Sequence, residues 1–131
     1  MAIRISFEDE SGAVHPQAYA RVENVQILPT MRTVEVGVAI FHDSAACRAN
    51  KHSVCREGRS VRNYTQSITE AVQPPGTTDP KDLQLVTRTV DHPDFDTFFA
   101  DTVLKLAGNS PLSQAYAYLK TLPRYVGGTD V

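Results

Sequence analysis

Tryptophan is absent from the chain, cysteine occurs twice, and no stretch reaches the roughly 18 consecutive apolar residues that cross a bilayer. Cys47 and Cys55 are too few for a disulfide framework. A chain of 131 residues needs no such staple, because a domain of this size buries about two thirds of its unfolded surface. The expected compartment is therefore a reducing one. The first ten residues, MAIRISFEDE, carry acidic groups where a signal peptide needs an apolar stretch, so the chain is expected to be neither secreted nor membrane-spanning. An excess of one charge is missing too: the formal net charge of -2 names no partner. With 41% hydrophobic and 21% charged residues, the composition excludes a largely disordered chain.

Catalytic signatures are also missing. There is no G-x-S-x-G elbow, no H-E-x-x-H pair, no phosphate-cradling glycine loop and no dinucleotide fingerprint. The expected protein is not an enzyme and carries no cofactor.

What is present, in the first half, is period two. Ile3, Ile5 and Phe7 alternate with Arg4 and Ser6. Ala18, Ala20 and Val22 interleave with Tyr19, Arg21, Glu23, Val25 and Ile27, and Val34, Val36, Val38 and Ile40 alternate almost without fault. The short Pro29–Arg32 link suits antiparallel neighbours. Asp43–Gly58 reads as a long hairpin loop, and Ser60–Ile68 as a resumed strand. Residues 70–82 hold Pro74, Pro75, Gly76 and Pro80, which bar a regular helix or central strand and predict an extended connector or exposed arm. Leu85–Val90 reads as one more short strand.

The period then turns helical. Asp91 is placed to cap a helix carrying Phe95, Phe98, Phe99, Val103 and Leu106 on one face, with Leu104 off it and Gly108 at its end. Ser110 and Pro111 start a second helix, with Leu112, Ala115, Tyr116, Leu119 and Leu122 as its stripe and Pro123 as its stop. The last six residues, 126–131, read as a flexible tail. One α+β domain over 1–131 follows: an antiparallel β-barrel or compact sheet through residue 90, with the connector at 70–82, and two short helices within 91–125.

Four constellations invite chemistry. His42, Cys47, His52 and Cys55 are borderline metal ligands, but their spacing lacks the paired C-x2-C knuckles of zinc motifs, so an incidental loop is the stronger reading. Arg48, Lys51, Arg56, Arg59 and Arg62 face only Glu57, and would suit a nucleic-acid backbone or an acidic neighbour; nearby aromatics are sparse, which favours the neighbour. Asp91, His92, Asp94, Asp96 and Asp101 suit the start of a helix better than acid-base catalysis. Tyr116 and Tyr118, two apart, are expected to diverge, leaving Tyr118 for a subunit contact.

The ending AYAYLKTLPRYVGGTDV resembles the endings of small virion structural proteins of tailed bacteriophages. The run HPQAYARVENVQILPTMRTVEVGVAIFHDSAACRANK is similar in layout to the same kind of protein. The resemblance implies a β-barrel or sandwich, similar to the oligonucleotide/oligosaccharide-binding type, built into a tail, baseplate or connector. It further implies a virion protein made in the host cytoplasm, with other virion proteins and copies of itself as partners and Pro74 and Pro75 in an arm toward a neighbour. The alternative is a nucleic-acid-binding β-barrel module that uses the basic residues.

Overall fold

The computed structural model describes residues 1–131. Strand β1 (Ile3–Glu8) turns into β2 (Val14–Leu28) through a loop closed by its own side chain: the Asp9 carboxylate accepts from the backbone N–H of Ser11 at 2.9 Å and of Ala13 at 3.0 Å. A 3-10 turn over Pro29–Met31, with Arg32 in the left-handed region at φ 48°, leads into β3 (Thr33–Phe41).

The two alternations read in β2 share one face because the strand carries a bulge. Pairing with β3 slips between Val22 and Asn24, so Ala18, Ala20 and Val22 point inward before the slip, and Val25 and Ile27 after it. Opposite the bulge sits Gly37, where a Cβ would fall 1.9 Å from Asn24 Oδ1; no larger residue fits without moving that side chain.

Residues expected as one long loop after β3 divide. Helix α1 (Ser44–Arg48) is capped by Asp43, whose side chain accepts from Ala46 N–H at 2.7 Å, and β4 (Cys55–Val72) begins three residues before Gly58. Strand β4 runs on to Val72 and returns as β5 (Gln84–Pro93), so residues 70–72 of the expected connector or arm are paired strand and 73–83 are the turn of a long hairpin. The prolines act at the tip, where the ladder has ended.

The helical region also departs from the pattern. Pro93 still belongs to β5, α2 (Asp94–Phe99) ends at Ala100 with ψ 148°, and α3 (Asp101–Leu104) starts afresh. That break resets the helical phase, so Leu104 packs on the core while Leu106 is 61% exposed. Helix α4 (Pro111–Leu119) begins with a capping box between Ser110 and Ser113.

The tail expected to be flexible is anchored. Thr129 and Asp130 form β6 against Arg4 and Ile3 of β1, and Ala2 and Val131 exchange two backbone hydrogen bonds. Gly128 allows this approach, since a Cβ there would lie 2.4 Å from the Ile3 methyl. Tyr125, just before it, is fully buried.

The result is a six-stranded antiparallel sheet in the order β5-β4-β3-β2-β1-β6, in the α+β class expected. Nothing pairs β5 with β6, so the ladder is open. Helices α2 and α4 cover one face, with Phe99 of α2 packed in the same core as Ile3, Val34, Val36, Val38 and Val61 of the sheet. Helix α1 covers part of the other, where Cys47 packs with Ala39, Phe41 and Tyr19. No helix is long and apolar enough to cross a membrane.

Candidate functional site

Strand β3 pairs with β4 only from Ile40–Cys55 to Thr33–Arg62. Beyond Arg62, β4 has β5 as its sole neighbour, through ten consecutive pairs from Asn63–Pro93 to Val72–Gln84. Ten residues at about 3.3 Å each make a two-stranded ribbon about 33 Å long. Isolated ribbons of two strands are marginally stable in water. Yet neither face is covered: no residue between Arg62 and Asp91 is buried.

The two faces differ. On the side of α2 and α4 lie Thr65, Ser67, Thr69, Thr87 and Thr89, with Thr69 and Thr87 bridged across the strands at 3.1 Å. On the opposite side, Ile68 stands across from Arg88, with Val86 and Val90 on either side of Arg88 and facing Glu70 and Gln66, so this face sets three apolar side chains around an ion pair. Val86 is 45% and Val72 42% exposed.

The base and tip of this ribbon are fixed. Asn63 and Asp96 exchange two hydrogen bonds, at 2.9 and 3.2 Å, and Arg32 pairs with the same carboxylate. The Arg32 guanidinium holds the Asp96 carboxyl below its usual range. Tyr64 stacks on His92 at 4.6 Å, and Arg88 pairs with Glu70 across the strands at 2.9 Å. At the tip, Pro74 C=O accepts from Thr77 N–H, Gly76 adopts φ +82°, and Asp79 caps the Pro80–Asp82 turn. No family model, curated protein or solved structure matches the chain. The site therefore rests on its own geometry.

The sequence candidates fare unevenly. Pro74 and Pro75 do lie at an exposed extremity, now as the ribbon's tip. The five basic residues are not one surface: Arg48 sits on α1 and Lys51 in the turn after it, while Arg56, Arg59 and Arg62 are on β4. Strand alternation sends Arg56 and Arg62 to one face and Arg59 to the other, where Arg59 approaches Glu57 at 3.5 Å; Arg56 pairs with Glu23 at 3.2 Å. The metal candidates also separate, with Cys47 buried under α1 and Cys55 paired to Ile40. No three His, Cys, Asp or Glu side chains come together to hold a metal ion. Tyr118 is buried, contrary to its expected surface role, because α4 lies between two partners: Tyr116 faces the sheet and Tyr118 meets Phe98 of α2 edge-on at 5.7 Å. Of the acidic group, Asp91 and His92 end β5, and only Asp94 and Asp96 occupy the first turn of α2.

Two polar groupings escaped the sequence reading because their members are far apart in the chain. His15 Nε2 lies 2.9 Å from Asp9 Oδ2, and its Nδ1 lies 2.8 Å from His42 Nδ1. His15 and Ser11 together hold the Asp9 carboxyl well below the usual carboxylate range. On the helical side, Tyr125 donates to Glu57, which also pairs with Arg124. Burial and the Glu57 carboxylate push the Tyr125 phenol well above its ordinary value. Both groupings tie loops to the sheet.

Proposed function

We propose that this chain is a non-enzymatic assembly subunit that joins its neighbours through the β4–β5 ribbon. The observation that carries the reading is the ribbon itself: ten paired residues on each strand, anchored at the base and turned at the tip, with no part of the chain covering either face. A domain that buries 23 residues in its own core gains nothing for that core from extending such a ribbon into water. Its exposed apolar side chains, Val86 on one face and Leu85 on the other, gain stability only when a second molecule covers them. The resemblance of the C-terminal sequence to small virion proteins of tailed bacteriophages supports placing the subunit in such a particle, in its tail, baseplate or connector. Its partners are then other virion structural proteins and copies of itself.

Light scattering coupled to size-exclusion chromatography, over a wide range of protein concentration and at low and moderate salt, tests this. A defined oligomer supports the reading. A monomer at every concentration, together with absence of the chain from assembled particles, contradicts it.

A further inference from the structure

The ribbon leaves two edges open, one on β4 from Asn63 to Val72 and one on β5, because each strand there is paired on one side only. Open edges offer rows of unpaired N–H and C=O groups, and proteins that stay monomeric guard them with lysines, prolines, bulges or very short strands. The other end of this sheet shows such guards. Strand β6 is two residues long, and β1 carries an irregularity between Ile5 and Phe7. The ribbon has one, Pro93 at its base, where β5 gives way to α2. Beyond that base pair there is no lysine and no proline from Tyr64 to Val72 or from Gln84 to His92, and no register shift interrupts the ten pairs.

Charge selects the occupant. Glu70 is the sole charge on β4 between Asn63 and Val72, and Arg88 on β5 projects from the same face. Pairing β5 with a second β5 around Arg88 sets arginine against arginine, and pairing β4 with a second β4 around Glu70 sets glutamate against glutamate, so symmetric two-fold additions are disfavoured there. Placing β5 of one copy beside β4 of the next brings Arg88 toward Glu70. The direction also fits. Strand β4 leaves the body and β5 returns, so copies rotated about an axis along the ribbon put β5 antiparallel to the neighbour's β4, as within one hairpin.

We infer that the partner of the ribbon is a second copy of this chain, added head to tail through β5 against the free edge of β4, in a cyclic assembly that closes the ribbons into one continuous antiparallel sheet. Closure is what removes every edge. The hydroxyl-bearing face then lines one side of that sheet, and the face with Ile68, Val86, Val90 and the Arg88–Glu70 pairs lines the other. The inference rests on the assembly reading and names its partner and its contact.

Charge reversal tests it on the full chain. Glu70→Arg places two arginines across every junction between copies, and Arg88→Glu places two glutamates there. Each variant alone is expected to need about fivefold higher concentration to assemble, as one like-charge contact replacing an opposite-charge one at each junction costs about 1 kcal/mol. An equimolar mixture of the two variants is expected to restore assembly. In the mixture Arg88 of one variant meets Glu70 of the other, and the reversed residues meet at the next junction, while the pair inside each chain stays broken. Recovery in the mixture alone therefore reports a contact between chains. Wild type that assembles, with both variants assembling equally well or the mixture failing to recover, overturns the head-to-tail contact and leaves the assembly reading standing. Wild type that stays monomeric throughout overturns self-pairing itself.

Discussion

Tyr116→Phe removes one oxygen atom and is expected to cost about 2 kcal/mol of stability. The Tyr116 hydroxyl accepts from the Val22 N–H at 2.9 Å and donates to the Met1 carbonyl at 2.7 Å. These two bonds join α4 to the bulge of β2 and to the start of the chain. Val22 is 6% exposed, so its amide loses its acceptor in a place that water does not readily reach, and a buried unpaired donor costs about 1–3 kcal/mol. The Met1 carbonyl adds less, because Met1 is 71% exposed. For a chain of this size, 2 kcal/mol lowers Tm by about 8 °C. Urea unfolding is the assay, with a lower midpoint at unchanged slope as the expected result. A loss under about 0.5 kcal/mol would refute the argument, since it would mean that the Val22 amide finds another acceptor or was never sequestered.

Other perturbations separate the body from the ribbon. Phe99→Ala empties a site that is 1% exposed beneath α2 and is expected to cost about 3–5 kcal/mol by urea unfolding. Val86→Lys alters only an exposed side chain of the ribbon, so unfolding should move by less than about 0.5 kcal/mol while light scattering shows assembly weakened. Asp9 has a depressed carboxyl pKa in the folded chain, so its contribution is present above the unfolded value of about 4 and is lost as pH falls below it. Asp9→Asn should therefore flatten the fall in Tm below about pH 4. Tyr116, Tyr118 and Tyr125 are pushed up by burial, so their contributions hold below the unfolded value of about 10 and are lost as pH rises above it. Thermal melts through the alkaline range should show that decline, and Tyr125→Phe should lessen it.

The body of the fold was legible where one face of a strand is buried. Ile3, Ile5 and Phe7, and Val34 to Ile40, read as strands because their alternation is the pattern that the helices cover. The bulge at Val22–Asn24 was not legible, since a register shift leaves both halves of the strand alternating normally. The ribbon was read only in fragments, as Ser60–Ile68 and Leu85–Val90, because exposure of both faces removes the alternation that marks a strand. Prolines at 74, 75 and 80 hid its continuity, although they lie past the last pair. The expected first helix ran through Ala100 because its apolar spacing continues across a break that no proline or glycine marks. Tyr118 turns inward because α4 packs against both the sheet and α2, so side chains two apart on it are both covered. The basic set looked like one patch because proximity in sequence ignores strand alternation. Pro74 and Pro75 keep their place at an extremity, as the tip of a hairpin.

Amide hydrogen exchange, followed peptide by peptide at low and high protein concentration, tests the ribbon as the assembly element most directly. In an isolated copy, half of the backbone groups of Asn63–Val72 and Gln84–His92 face no strand. These segments should exchange rapidly when dilute and become protected on concentration, with β2 and β3 unchanged. Ribbon exchange that is the same at every concentration, or protection that arises elsewhere in an assembled sample, would contradict the account.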